Sequence, residues 1–171
     1  MHAFIKNTLV ILLSLSSLVG CDDVLMVYVV RHAEKMSPWS NHNPPLSPKG
    51  YQRAEALSER LASAPLDKVI VSNYRRTQET AAPTAESHGL ETVVLPATSI
   101  DEIVDEALQH STNRAVLIVG HSNTVPLIVQ ALQPNAQVED IDESTFNQFH
   151  IIARNKLNQA TVHAQDSYGA P

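Results

Sequence analysis

Arginine and histidine side chains follow two apolar segments that the sequence predicts to be buried strands. Arg31 and His32 come directly after residues 24–30, and His121 comes directly after residues 115–120. A planar guanidinium suits phosphate oxygens, and an imidazole can act as a nucleophile or exchange a proton. Side chains at such a strand end lie where α/β proteins usually do chemistry, or they are simply a charged strand end that leads into a solvated loop.

A third polar group follows the apolar segment 68–72. Ser72, Arg76 and Thr80 are spaced by four residues, so on a helix they share one face. In open α/β sheets, ligands bind beyond the carboxyl ends of the strands. We therefore expect these three residues to lie near Arg31-His32 and His121, although the segments are far apart in the chain.

Each of these residues, taken alone, has an ordinary structural explanation. His121 could be a buried core histidine, Arg76 a surface partner of Glu79 or Glu55, and Arg31 a cation that ends a strand. Only their convergence at one edge of a sheet would indicate a common site.

The elements that must position these side chains alternate between strand and helix patterns. Short apolar runs predict strands at 24–30, 68–72, 92–95 and 115–120, and apolar stripes at helical spacing predict helices at about 47–63, 74–88, 99–108 and from 122 onward. Residues 149–154 and 159–163 alternate as a hairpin does. The predicted fold class is therefore α/β, a three-layer α/β/α domain with a mostly parallel sheet and an antiparallel C-terminal edge.

The composition argues against nucleic acid as a partner. The chain has 171 residues with 12 Lys and Arg against 18 Asp and Glu, a formal net charge of -6. An acidic chain lacks the positive field that binds polyphosphate backbones. Any positive site for an anion must therefore be local.

The N-terminal segment resembles the export signal of a bacterial lipoprotein. A short cationic region and an apolar region occupy residues 1–20, and Leu18-Val19-Gly20-Cys21 resembles a lipobox, in which the signal is cut before the cysteine and the cysteine is acylated. The alternative is an ordinary signal peptide with an incidental cysteine. We expect a lipidated tether at 21–23, a domain at 24–171, and attachment to a membrane of the cell envelope on its periplasmic face. Asp22 resembles the signal for retention at the inner membrane.

Four segments between about Leu25 and Leu132 resemble the histidine phosphatase superfamily, whose members include phosphoglycerate mutase and phosphohistidine phosphatases. They are Val30-Arg31-His32-Ala33-Glu34, with Ala33 in place of the common Gly, then residues 45–54, residues 72–81, and Val119-Gly120-His121-Ser122-Asn123. The third segment selects Arg76 over Arg75.

The resemblance implies a reaction through a phosphohistidine. His32 is phosphorylated and water then releases phosphate, with no metal and no cofactor. His32 must be neutral at the attacking nitrogen, which requires a carbonyl or carboxylate to hold its other ring N–H. The groups expected to bind the phosphate are Arg31, Arg76, protonated His121, Ser122 and Asn123.

The sequence does not single out the proton donor to the leaving group. Many members of the family place a carboxylate after the third strand or after the second histidine, and the latter place holds an amide here. Glu34, Asp101 and Glu102 are the remaining candidates. Glu34 could instead pair with Lys35 or Arg53, and Glu102 could be a first-turn helix acid.

The expected activity is hydrolysis of a small soluble phosphoester. A phosphohistidine protein phosphatase is the first alternative, a phosphate-binding envelope lipoprotein without turnover the second, and a structural lipoprotein the third. A mutase is disfavoured because mutases of this family carry extra segments for which this short chain has little room. Only Asp22 and Asp23 separate Cys21 from the first strand, so the pocket should face away from the bilayer.

Overall fold

The computed structural model describes residues 23–38, 40, 42–109 and 114–170. In the described residues four strands alternate with four helices and two further strands follow, in the order that the apolar pattern predicts. They are β1 (Val24–Arg31), α1 (Pro48–Leu61), β2 (Leu66–Ser72), α2 (Arg75–His88), β3 (Thr92–Leu95), α3 (Ile100–Leu108), β4 (Ala115–Gly120), α4 (Val125–Leu132), β5 (Gln148–Asn155) and β6 (Thr161–Ser167).

The strands form one sheet in the order β3-β2-β4-β1-β5-β6. Strands β1 to β4 are parallel, and β5 and β6 are antiparallel to their neighbours. The carboxyl ends of β1, β2 and β4 therefore lie at one edge of the sheet. The amino end of β5 lies at the same edge, because Phe149 pairs with Val30 in the antiparallel register.

Helices cover both faces of the sheet. Side chains of α1 and α2, among them Leu57 and Ala81, pack with Val71 and Leu117 on one face. Those of α3 and α4 pack with Val27 and Ile118 on the other. The α/β class, the three layers and the antiparallel edge are confirmed.

Helix α4 begins later than expected. The sequence predicts its start near Ser122, whereas residues 121–124 form a turn and the helix begins at Val125. The turn closes on itself because the Thr124 hydroxyl accepts a hydrogen bond from the His121 amide at 2.9 Å, while the His121 carbonyl accepts from the amides of Thr124 and Val125. The positive end of α4 therefore lies three residues beyond the place expected.

The export signal at 1–20, Cys21 and Asp22 lie outside the described residues. The first described residue, Asp23, accepts a hydrogen bond through its carbonyl from the Lys156 amide at 2.8 Å, in the turn between β5 and β6. This places the start of the described chain at the edge of the sheet opposite Arg31. In the described part of the chain, no helix has the length and apolar character needed to cross a bilayer.

Candidate active site

The two imidazoles meet because they follow neighbouring parallel strands. Arg31, the last residue of β1, pairs with Gly120, the last residue of β4. The His32 amide donates to the Gly120 carbonyl at 2.9 Å, which continues the pairing by one residue. The rings of His32 and His121 then lie 5.3 Å apart between centroids, at 66° to each other.

His32 is held in the tautomer that a nucleophile needs. Its Nδ1 lies 2.8 Å from the Ala33 carbonyl oxygen, and since a carbonyl can only accept, Nδ1 carries the proton. The lone pair is therefore on Nε2. Burial, reinforced by the charges of Arg76 and Arg31, lowers the pKa of His32 to about 3, so the imidazole is neutral at neutral pH.

Helix α2 fixes the loop that carries His32. The Ala33 amide donates to the Thr80 hydroxyl at 2.9 Å, and that hydroxyl donates to the Arg76 carbonyl at 2.7 Å. Arg76 and Thr80 belong to α2, as the spacing predicts, whereas Ser72 is the last residue of β2 and not part of the helix. All three nevertheless lie at this edge of the sheet.

The surroundings of His121 in the folded chain favour the neutral imidazole, and the protonated form expected from sequence stays a prediction for the phosphate-bound site. Burial is the largest cause, and Arg76 and Arg31 add to it, lowering the pKa of His121 to about 4. Its Nδ1 lies 3.2 Å from Arg76 Nη2 and its Nε2 lies 2.9 Å from the Ser72 hydroxyl. Because a guanidinium only donates, Nδ1 accepts and Nε2 carries the proton. A phosphate dianion placed among these groups would favour the charged imidazole.

Both arginines present a buried nitrogen that has no hydrogen-bond partner within the described residues: Nε of Arg31 and Nε of Arg76. Arg31 is only 2% exposed and has the Phe146 ring 4.2 Å from its Cζ. Arg76 lies over the Tyr74 ring at 4.3 Å. Buried unpaired donors are costly, so two of them beside a cavity favour a bound anion.

Six side chains selected from the sequence line one cavity of about 290 Å³. They are Arg31, His32, Arg76, His121, Ser122 and Asn123. The neighbouring Arg75 is not among them, and its guanidinium pairs instead with Glu79. The segment that selected Arg76 over Arg75 thus agrees with where the two side chains lie.

Neither tentative proton donor enters the cavity. The Glu34 carboxylate is held by Arg53, at 2.9 Å from Nε and 2.8 Å from Nη2. Burial opposes ionisation of Glu34, but the Arg53 hydrogen bonds outweigh it and lower the pKa of the carboxyl. Glu102 is exposed in the first turn of α3 and does not line the cavity. Neither residue is therefore placed to act as the proton donor, which corrects the expectation from sequence. Glu34 is held by Arg53, and Glu102 faces water.

The cavity contains a carboxylate that the sequence analysis did not select. Glu143, in the loop before β5, accepts from Arg31 Nη2 at 2.9 Å and from the Ser122 hydroxyl at 2.7 Å. The predicted order of the strands could have pointed to Glu143. An antiparallel strand beside β1 must begin at the edge where β1 ends, so the residues ahead of it lie at the site.

Lys35 and Tyr74 also line the cavity, as do the smaller polar residues Thr98 and Thr124, and the sequence did not point to any of them. The site thus combines three cations, two neutral imidazoles and a single carboxylate among the described lining residues. Fixed positive donors around a nucleophilic nitrogen are the arrangement that phosphoryl transfer requires. In the described residues, no group of three or more His, Cys, Asp and Glu could hold a metal ion.

Part of the chain is similar to known protein families. Residues 27–99 match the model of the histidine phosphatase superfamily (branch 1). The chain is 32% identical over 80 residues to the probable phosphoglycerate mutase GpmB of Enterobacter sp. (strain 638). That match covers 43% of this chain and 36% of the relative, so the chain spans about a third of that protein's length.

Solved structures share the fold over most of the chain. The protein histidine phosphatase SixA, complexed with tungstate, superposes with a TM-score of 0.69 at 16% identity, covering 83% of this chain and 96% of that one. A protein of Nakamurella multipartitia, provisionally assigned as the phosphohistidine phosphatase SixA, gives 0.58 at 25% identity, covering 86% and 96%. Phosphoglycerate mutase from Plasmodium falciparum gives 0.61 at 13%, covering 86% and 94%. These structures show the fold that the chain shares with them.

Proposed function

We propose that this chain is a phosphatase that acts through a phosphohistidine on His32. The observation that carries the proposal is the His32 imidazole, whose Nδ1–H is held by the Ala33 carbonyl so that Nε2 offers its lone pair to the cavity. Arg31, Arg76 and Lys35 surround this neutral nucleophile with positive charge. Such a site suits a negatively charged phosphoryl group better than an uncharged substrate.

Two displacements complete the reaction. In the first, His32 Nε2 forms a bond to phosphorus while the bond from phosphorus to the leaving group breaks, and the leaving group takes up a proton. In the second, a water oxygen attacks phosphorus, the N–P bond breaks, and the water loses a proton as phosphate is released. Arg31 and Arg76 would hold the equatorial oxygens throughout.

The substrate we propose is a small soluble phosphoester. A phosphohistidine side chain on a protein is the second candidate, and one observation favours it. Among the described lining residues the sole carboxyl, Glu143, has its pKa lowered by the Ser122 hydrogen bond and by Arg31, so it is ionised at neutral pH. A site without a neutral carboxylic acid suits a leaving group that departs easily, and imidazole leaves more easily than an alkoxide. The SixA neighbours carry that activity in their names.

We also propose that the chain is lipid-anchored at Cys21 on the periplasmic face of a membrane of the cell envelope, with the inner membrane favoured by Asp22. The eight residues of β1 span roughly 25 Å at about 3.3 Å each, with Asp23 at one end and His32 beyond the other. The cavity would thus face away from the bilayer, toward soluble substrates. Replacing Cys21 by Ser is expected to move the protein from the membrane to the soluble fraction.

Turnover of three phosphoryl donors by the detergent-solubilised full chain tests the enzyme proposal: p-nitrophenyl phosphate, glycerol phosphate and phosphohistidine. We expect phosphate release and an acid-labile phosphoenzyme, both lost in His32→Ala. His88→Ala, at the opposite end of α2, is the matched control and should behave as wild type. Phosphate binding with no release from any donor would contradict the enzyme and leave a binding lipoprotein. If phosphohistidine is turned over far faster than both esters, the substrate is the second candidate, a phosphohistidine side chain on a protein.

A further inference from the structure

Glu143 accepts a hydrogen bond from the Arg31 nitrogen, Nη2, that would otherwise be available to a phosphoryl group. The Arg31 Nη1 atom donates to two main-chain carbonyls, those of Asp142 at 2.8 Å and Thr145 at 2.9 Å. With the side chain buried under Phe146, the guanidinium cannot turn to present that nitrogen. The edge formed by Nε and Nη2 is what remains for a second oxyanion.

One of the two nitrogens on that edge of the guanidinium already has a partner, and the other has none among the described residues. Nε is buried without a partner among the described residues, and Nη2 donates to Glu143 Oε2 at 2.9 Å. A phosphate bound by both nitrogens, the usual fork geometry, must take the place of the Glu143 oxygen. The same carboxylate accepts from the Ser122 hydroxyl at 2.7 Å, so it holds two donors that line the cavity.

The carboxylate can leave at small cost. Its side chain is 77% exposed, in contrast to the 2% of Arg31, so moving it outward exchanges its contacts for water. Among the residues that the structure describes, the charged groups that act on this carboxylate are cations: Arg31 on β1, Lys35 in the loop after β1, and Arg76 on α2. An incoming dianion is attracted by the same three groups and carries more charge, so it competes effectively for them.

We propose that Glu143 is a displaceable competitor of the phosphoryl group, and that anion binding moves its carboxylate off Arg31 and Ser122. The inference rests on the proposed function only in taking the cavity as a phosphoryl site. Its consequence is that Glu143 weakens the affinity of the pocket for phosphate and thereby favours release of product. Glu143 is in this sense a specificity residue, since a poorly charged anion would not displace it.

Calorimetric titration of the full chain with inorganic phosphate tests the proposal. Glu143→Gln removes the charge and keeps the shape: its amide oxygen can still accept from Arg31 Nη2, while its NH2 can only donate to the Ser122 hydroxyl. We expect it to bind phosphate about 1.5-fold to fivefold more tightly than wild type, the range of an ion pair with an exposed partner. Glu139→Gln removes one charge from the same loop away from the cavity and should leave binding unchanged.

Unchanged, weaker or absent phosphate binding by Glu143→Gln would overturn the proposal, because Glu143 would then position Arg31 instead of competing at it. Glu143→Ala, which removes the contacts as well as the charge, should also bind phosphate more tightly than wild type. The result is separable from the enzyme proposal. If Glu143→Gln binds phosphate more tightly and no variant turns over any donor, the competition stands and the phosphatase does not.

Discussion

Arg76 Nη2 lies 3.2 Å from His121 Nδ1, and this contact determines which nitrogen of the second imidazole carries the proton. The guanidinium donates, the imidazole accepts, and the ring proton is left on Nε2 toward Ser72. In the proposed reaction Arg76 would therefore act twice. It would donate to the phosphoryl group through an Nε that has no partner among the described residues, and its charge adds to burial in keeping His121 neutral.

Replacing Arg76 by Gln should lower kcat/KM by about 100-fold, the usual effect of removing one donor to a transition-state oxyanion. It should also raise the pKa of His121, since the Arg76 charge is one of the causes that lower it. Steady-state kinetics and an NMR titration of the histidine ring protons measure the two effects. Arg75→Gln, next in sequence and paired with Glu79 at the surface, is the control and should retain near wild-type activity. Equal losses in both variants would contradict the assignment.

Stability should fall as the pH is lowered from about 6.5 toward 4. The pKa of His32 is lowered from 6.5 to about 3, and those of His121 and His150 from 6.5 to about 4, chiefly by burial. Between these values the unfolded chain binds protons that the native chain does not, so acid favours unfolding. Each histidine contributes at most about 1.4 kcal/mol per pH unit. Urea denaturation at several pH values measures the slope.

His150 separates this effect from catalysis. It is fully buried on β5, its Nδ1 lies 3.1 Å from His163 Nε2, and it does not line the cavity. His150→Leu should make the acid slope shallower while leaving kcat unchanged at neutral pH. A slope identical to wild type would show that His150 titrates normally in the native state.

Glu34 should prove structural. Arg53 is 4% exposed, so Glu34→Gln leaves a buried cation without its partner and is expected to cost about 3 kcal/mol of unfolding free energy. The shape of the pH–rate profile should not change, whereas loss of a proton donor would remove its basic limb. Lys49→Gln removes the other, exposed cation that lies 3.5 Å from Glu34 and should cost far less.

Gly50 is required by the close approach of α1 to the loop after His32. A Cβ at this position would lie 2.1 Å from the Glu34 carbonyl oxygen. Gly50→Ala must push the loop away and should destabilise the protein by about 1–3 kcal/mol, as overpacking does. It should also reduce kcat, because the same loop carries His32. Thermal unfolding and turnover measure both, and Lys49→Ala, exposed on the same turn, is the control.

Much of the fold could be predicted because burial on both faces of a sheet leaves a readable pattern. The unbroken apolar runs of β1 and β4 predict parallel strands, and the alternation after Phe149 predicts the antiparallel edge. The start of α4 was misplaced by three residues because the Thr124 hydroxyl bond to the His121 amide is a contact within a turn that periodicity does not record.

The sequence by itself determined which side chains stand at strand ends, and parallel pairing then requires Arg31, His32 and His121 to share an edge. The tertiary structure alone decided their protonation, since pKa values depend on burial and on cations brought from α2. It also decided which groups the carboxylates bind. Glu34 accepts hydrogen bonds from Arg53, and Glu143 accepts one from Arg31, 112 residues away in the chain. The interaction between two charges depends on the distance between them, and the folded chain sets that distance.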